Sequence, residues 1–229
     1  MLNTAAGIGR AIHLVSLQLM NVFRPAFRSP VLCIDDFLAE DDAQRVLQEC
    51  IVLKKIYMPA RVFDGPNATK IDPKYRKNEV VYLDDVFRSA PERSDILSIM
   101  KKKIWTDECR KLWHEGYYIF DIINYSTWQE AVISRYGNCD FYKRHQDTRR
   151  DHITYRLVTL VYYVNRIPEQ FTGGSLILWE GDESLTIEPK HNRAVVFPSF
   201  TFHEVENVHM TSEKWEDGRF SLNYWMGFR

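Results

Sequence analysis

The sequence predicts a mostly β protein with flanking helices, and three observations carry that expectation. From about residue 131 onward, short runs of β-branched and aromatic residues alternate with turn residues, the pattern of an all-β barrel or jelly roll. Before that point the apolar residues recur at helical spacing in longer stretches, notably 39–53 and 95–118. At 229 residues with 45% hydrophobic composition, the chain can bury a sizeable core within one domain. We therefore expect a single domain over residues 1–229, with 1–130 as helical and strand support and 131–229 as the β core.

Each element has its own signal. Residues 11–23 are apolar but broken by His13, Gln18 and Asn21, and they lack a small-residue cleavage site, so they read as a docking helix rather than a secretory signal. Val31-Leu32-Cys33-Ile34 reads as a strand. Ala39-Glu40-Asp41-Asp42 offers acidic N-cap candidates ahead of an amphipathic run through Leu47, Ile51 and Leu53. Residues 60–75, with Gly65-Pro66-Asn67, form a polar loop, 79–83 a short strand, and 95–118 one or two helices. In the second half, Ala131-Val132-Ile133-Ser134-Arg135-Tyr136 has strand character, and Gly137-Asn138-Cys139-Asp140 reads as a turn. Val195-Val196-Phe197-Pro198-Ser199 is an apolar strand ending near a proline, and Arg219 opens a strand-like run reaching residue 228.

Composition excludes several function classes. With 30 basic and 31 acidic residues interspersed and a net charge of −1, there is no electrostatic case for a nucleic-acid or membrane partner. No apolar run approaches the roughly 20 residues that span a bilayer. Cys33, Cys50, Cys109 and Cys139 are widely spaced and form no C-x-x-C pair, which reads as reduced thiols in a cytoplasmic protein.

The chemistry-bearing pattern is His145-x-Asp147, then His203, then Arg219-Phe220-Ser221. His145 and Asp147 are two apart, so on an extended segment both side chains leave one face and can converge on one ion. Two imidazoles and one carboxylate on one side of a metal, with the opposite positions open, suit a non-haem Fe(II) oxygenase. Arg219 adds a planar, permanently charged fork suited to a small carboxylate beside that metal. Alone, His-x-Asp is a weak motif. In isolation these residues equally suit a surface histidine, a turn aspartate and an interior histidine. His13, His114, His152, His191 and His209 lack comparable partners and read as surface or structural residues.

The order and spacing of the pieces from Arg135 to Phe228 resemble the Fe(II)- and 2-oxoglutarate-dependent dioxygenases, in particular their prolyl 4-hydroxylase-like branch. The resembling pieces are Arg135-Tyr136, Asp140 through Asp147, Leu157 through Asn165, Gly173-Gly174-Ser175-Leu176, Ile187-Glu188-Pro189, Phe197-Pro198-Ser199, His203-Glu204-Val205 and Gly218 through Leu222. They cover somewhat under half of the chain. The resemblance implies a double-stranded β-helix core with the N-terminal helices packed outside it. It implies Fe(II) on His145, Asp147 and His203, with Arg219 and Ser221 on the distal carboxylate of 2-oxoglutarate. Tyr136 and Tyr163 match family positions whose hydroxyls help to hold the same molecule, although core packing competes for both. Tyr162 and Tyr163 are adjacent, so only one faces inward, and we choose Tyr163. Tyr142 is a further candidate for the pocket wall. The collagen-type prolyl 4-hydroxylases place a lysine at the carboxylate clamp, and Lys214 is near. Arg219 is preferred because it shares a strand register with Ser221. Gly173-Gly174 reads as a turn opening a strand, and Trp179 with Glu180-Gly181-Asp182 as rim features.

The reaction so implied consumes O2 and 2-oxoglutarate, releases succinate and CO2, and hydroxylates an unactivated C–H bond, with ascorbate as reductant. The substrate it favours is a peptidyl proline or other protein side chain, with a free amino acid or small metabolite as the alternative. A non-catalytic β-barrel binding module and a cupin-like metalloenzyme without 2-oxoglutarate are the readings from other classes. Loss of a ligand or of the clamp would favour the first, and Arg219-x-Ser221 argues against the second. By position, residues 60–75 and 86–93 are candidates for a substrate lid. The oligomeric state is not legible.

Overall fold

The computed structural model describes residues 21–64, 68–148 and 156–228. Two antiparallel sheets face each other. The larger has eight strands in the order Asn21–Phe23, Leu32–Asp35, Arg193–Pro198, Val158–Val164, Arg219–Gly227, Trp128–Tyr136, Glu79–Tyr82 and Met58–Pro59. The smaller has five, in the order Glu183–Ile187, Leu176–Glu180, Phe202–Val205, Phe141–His145 and Arg76–Lys77. This is the jelly-roll arrangement expected from the β-rich second half.

Alternation along the central strands builds two layers. On Val158–Val164, the even-numbered Val158, Leu160, Tyr162 and Val164 join a core shared with the helices, whereas Val161 and Tyr163 join the core between the sheets. Phe220, Leu222, Tyr224 and Met226 likewise face the helical side. Both faces of these strands are covered, so every residue of Val158–Val164 is buried and the run reads as continuously apolar. Burying a large apolar side chain contributes about 1.5–3 kcal/mol, so this two-sided burial is what holds the sheet rigid.

The helices pack outside the larger sheet. Glu40–Val52 buries Ala43, Val46, Leu47 and Cys50 at helical spacing. Its N-cap is Ala39 without a side-chain cap, and Glu40, Asp41 and Asp42 occupy the first turn instead, where they complement the helix dipole. Residues 95–118 resolve into two helices, Asp95–Ile104 and Asp107–Gly116, whose N-caps Ser94 and Thr106 accept bonds from the Leu97 and Cys109 amides.

Several expectations need correction. Of the expected docking helix at 11–23, residues 11–20 lie outside the described residues, and Asn21–Phe23 is a strand paired with Leu32–Asp35. The loop at 60–75 contains a small hairpin, Val62–Phe63 against Thr69–Lys70; Gly65-Pro66-Asn67 lie outside the described residues. Leu83 starts a short helix rather than ending the strand.

One ion-pair cluster pins the edge of the larger sheet. Arg193 grips Asp35 through Nε at 2.5 Å and Nη2 at 3.0 Å, and Lys190 Nζ adds a bond of 2.9 Å. The bonds from Arg193 hold the Asp35 carboxyl below the usual carboxylate range, with Lys190 assisting and burial opposing. A depressed carboxylate contributes stability above its unfolded pKa and loses it as pH falls. Asp35→Asn is therefore expected to flatten the fall in Tm below about pH 4, read by thermal unfolding across an acid series. An identical acid slope in the variant would show that this cluster contributes nothing.

Candidate metal centre

The smaller sheet brings together His145, Asp147 and His203, a group that could hold a metal ion. His145 ends the strand Phe141–His145, and His203 lies directly opposite it in the antiparallel ladder with Phe202–Val205. The two rings are therefore neighbours, with centroids 4.1 Å apart. Asp147 lies two residues past the strand end, and its amide donates to the Ser199 carbonyl at 3.0 Å, which folds it back over the imidazoles. Its Oδ1 is 3.9 Å from His145 Nε2, and its Oδ2 is 3.6 Å from His203 Nε2. Ligand atoms of the three residues all lie within 4.8 Å of one another. Two donors each about 2.1 Å from a shared ion sit at most about 4.2 Å apart, so both carboxylate distances already fit.

The outer partners fit as well. His145 Nδ1 faces the Lys143 carbonyl at 2.8 Å, and His203 Nδ1 faces the Thr201 carbonyl at 2.9 Å. A carbonyl only accepts, so each Nδ1 carries the proton and each Nε2 is left with its lone pair toward the centre. Thr159 Oγ1, from the larger sheet, donates to Asp147 Oδ2 at 2.8 Å and so orients the carboxylate. Burial, helped by the charge of His203, pushes the His145 imidazole well below its ordinary range, so it is neutral and ready to ligate. Burial works against an ionised Asp147, yet His203, His145 and Arg156 together hold its carboxyl below the usual range.

The larger sheet presents Arg219 and Ser221 to the same cavity. On Arg219–Gly227 the odd-numbered residues Arg219, Ser221, Asn223 and Trp225 line the cavity that holds the triad. Register does the rest: Arg219 lies opposite Tyr136, and Ser221 opposite Tyr163 on the other neighbour. The Arg219 guanidinium is 1% exposed and sits 4.8 Å from the Tyr136 ring centre and 4.9 Å from that of Tyr163. It donates from Nε to the Gly174 carbonyl at 2.7 Å and from Nη1 to Ser221 Oγ at 3.3 Å. Among the described residues no carboxylate pairs with it. The buried Tyr163 hydroxyl also has no hydrogen-bond partner, and burial pushes its phenol up to about 12. A buried cation without a counter-ion and a neutral buried hydroxyl without a partner are both costly. One small anion in the cavity of about 160 Å³ would satisfy both.

Gly174 makes that geometry possible. Its φ is +68°, and an added Cβ would stand 2.7 Å from Arg219 Cδ and 2.8 Å from Val208 Cγ2. Gly174→Ala is expected to cost about 1–3 kcal/mol in backbone strain and to displace the guanidinium. Thermal unfolding and 2-oxoglutarate titration of the variant check both effects; unaltered co-substrate affinity would show that Arg219 does not depend on this close approach.

The remaining expected residues divide. Tyr142 lines the cavity and stacks on His145 at a centroid distance of 3.5 Å. Tyr162 points to the helical side, where its hydroxyl donates to Asn192 Oδ1. Lys214 is exposed and borders a separate depression with Arg166 and Asp217. His114 and His209 are exposed, His191 is buried beside Asn165, and His13 and His152 lie outside the described residues. Trp179 packs under Arg144 away from the cavity. Of the two lid candidates, the 62–70 hairpin contributes Val62, Phe63 and Thr69 to the cavity, whereas Phe87, Arg88 and Pro91 border a different surface depression with Leu97 and Gln129. The 86–93 segment therefore does not cover this site. Sequence reasoning missed Thr159, Asn223, Trp225, Arg61 and Arg76. The period of two from Arg219 through Ser221 predicts Asn223 and Trp225 if it is carried further; nothing local marks the two arginines.

The model of the 2OG-Fe(II) oxygenase superfamily matches residues 131–227. The matched stretch is somewhat under half of the chain and includes the triad, Arg219, Ser221 and both tyrosines. An uncharacterised PKHD-type hydroxylase of Synechocystis sp. is 24% identical over 203 residues, 84% of this chain and 61% of that relative. The chain thus spans under two thirds of that protein's length. Among solved structures, a Pseudomonas putida prolyl-4-hydroxylase superposes with a TM-score of 0.62 at 22% identity, covering 88% of this chain and 94% of its own. A Trichoplax adhaerens prolyl hydroxylase in complex with a hypoxia inducible factor peptide gives 0.63 at 18%, covering 87% and 84%. The viral collagen prolyl hydroxylase of Paramecium Bursaria Chlorella virus-1, in its 2OG complex, gives 0.57 at 17%, covering 88% and 97%. At these identities the structural likeness concerns the fold: a prolyl 4-hydroxylase-like jelly roll.

Proposed function

We propose that the protein is an Fe(II)- and 2-oxoglutarate-dependent dioxygenase that hydroxylates an unactivated C–H bond, on a peptidyl proline or another protein side chain, with release of succinate and CO2. The observation that carries this reading is a buried Arg219, paired with no carboxylate among the described residues, in the same cavity as a His-Asp-His group. Iron, when bound, supplies the redox chemistry with O2 as 2-oxoglutarate is oxidatively decarboxylated. The chain's own residues hold and orient. His145, Asp147 and His203 would bind the ion through two Nε2 atoms and a carboxylate oxygen. Arg219 and Ser221 would take the distal carboxylate of 2-oxoglutarate, and the hydroxyls of Tyr163 and Tyr136 would bond to the same molecule. All of these groups except Asp147 sit on strands, which fix them more rigidly than loops would, and Asp147 is held by its bonds to Ser199 and Thr159; this suits a reaction that depends on positioning.

The prolyl hydroxylase neighbours support a peptide substrate, and ascorbate would serve as reductant of the iron. Free thiols at all four cysteines, three of them buried, support a reducing compartment and hence the cytoplasm. Among the described residues no helix is long and apolar enough to cross a membrane. The deciding measurement is anaerobic addition of Fe(II) and 2-oxoglutarate. A weak visible charge-transfer band is expected with both present and not in His145→Ala; its absence from the intact protein would overturn the reading. Succinate release across a peptide and metabolite panel then identifies the substrate.

A further inference from the structure

The cavity carries more positive charge than the proposed co-substrate uses. Among its described lining residues are four arginines, Arg61, Arg76, Arg156 and Arg219, against a single carboxylate, Asp147. Arg219 is assigned to 2-oxoglutarate, and Arg156 is held by Glu130 Oε2 through Nε at 2.9 Å and Nη2 at 2.7 Å. Arg61 and Arg76 differ. Arg61 donates from Nε to Thr69 Oγ1 and from Nη2 to the Thr69 carbonyl, both at 2.8 Å. Arg76 donates from Nε to Asn78 Oδ1 at 2.7 Å and from Nη1 to the Arg61 carbonyl at 3.4 Å. Every one of these acceptors is neutral, and no carboxylate among the described residues pairs with either arginine. One nitrogen of each fork, Arg61 Nη1 and Arg76 Nη2, has no hydrogen-bond partner there.

Arg76 also stands close to the metal-ligand candidates, and Arg61 lines the same cavity. Arg76 lies opposite Tyr142 in the smaller sheet, with its guanidinium 4.4 Å from the Tyr142 ring centre, and Tyr142 in turn stacks on His145. The result is a guanidinium, phenol and imidazole stack that runs from the cavity mouth to the metal-ligand set. Burial raises the phenols of both Tyr136 and Tyr142, and Arg76 is the largest influence opposing that rise at each. Arg76 reaches the Arg61 main-chain carbonyl and both side chains line one cavity, and forks pre-organised by neutral acceptors suit a planar oxyanion.

We infer that Arg61 and Arg76 form a subsite for a carboxylate on the substrate to be hydroxylated, so that the preferred substrate is acidic next to its reacting carbon. This deepens the proposed function and rests on it, since it assumes that Arg219 is occupied by 2-oxoglutarate. The carboxylate would come from an Asp or Glu side chain flanking the target residue of a peptide, or from a small free acid.

The test uses the full chain with Fe(II) and 2-oxoglutarate under anaerobic conditions, so that probes bind without turning over. One arm offers degenerate proline-centred octapeptides with Asp and Glu at the flanking positions against the same pool with Asn and Gln. The other offers free mono- and dicarboxylic acids against their amides. The intact protein is expected to retain the acidic members of one arm about tenfold better, the ratio given by one well-made charge-assisted hydrogen bond. The arm in which this happens identifies the source. The preference should vanish in the double variant Arg61→Gln/Arg76→Gln and persist in Arg76→Lys, which keeps the charge and controls for loss of structure. No acid preference in either arm, or an equal preference in the double variant, overturns the subsite. The charge-transfer band of the same sample separates the two failures. A protein with the band but no acid preference refutes the subsite alone, whereas a protein without the band refutes the oxygenase reading and the subsite with it.

Discussion

Asp147→Ala is expected to abolish turnover and to weaken Fe(II) binding far beyond the 10–100-fold or so that loss of an outer hydrogen-bond partner costs. Asp147 is the only carboxylate in the proposed ligand set, so it alone would offset the charge of a bound ion. It is also the residue that joins the two sheets at this point, through the Ser199 carbonyl and the Thr159 hydroxyl. An alanine leaves two neutral imidazoles from adjacent strands and no anionic donor. Anaerobic Fe(II) titration and succinate release are the measurements; a variant of full activity would refute the ligand assignment.

Arg219→Ala is expected to leave Fe(II) binding largely intact and to raise the 2-oxoglutarate requirement steeply. Removing one partner of a buried ion pair costs about 3–5 kcal/mol, which is a loss of roughly two to three-and-a-half decades in affinity. The same change removes an unpaired buried cation from the protein without co-substrate. The variant without co-substrate should accordingly be no less stable than the parent. A ligand at 100 times its Kd raises stability by about 2.7 kcal/mol, so 2-oxoglutarate should lift the Tm of the parent and not that of the variant. Unchanged affinity would reassign the carboxylate clamp, and the exposed Lys214, which borders a different depression, is poorly placed to take it.

The second half of the chain was the legible half, and particular residues explain why. Arg219 and Ser221 are two apart, and a strand turns that spacing into a shared face. Such information is local and survives without coordinates. Asp147, by contrast, lies past the end of the His145 strand and is brought to the imidazoles by its bond to Ser199. Parity requires only that one of Tyr162 and Tyr163 face inward, and the family resemblance favours Tyr163; Tyr163 faces the cavity while Tyr162 faces Asn192. The first half was less legible because its roles depend on partners far away in sequence. Residues 21–23 look like the end of an apolar helix, yet they pair with 33–35 as an edge strand, and nothing local encodes that. Residues 86–93 and 60–75 were equivalent as lid candidates, and only packing separates them. Thr159 looks like an ordinary strand threonine until Asp147 is brought to its hydroxyl.

Sequence alone determined the donor types, the shared strand face of Arg219 and Ser221, and the permanent charge of Arg219, because side-chain chemistry and strand periodicity are properties of neighbouring residues. Only the tertiary structure decided that His145 and His203 sit across one ladder, that Arg219 is buried between two tyrosine rings with no counter-ion among the described residues, and that Arg61 and Arg76 line the same cavity. Those facts depend on strand order and register, which arise from the burial of two whole sheet faces and are written in no single segment.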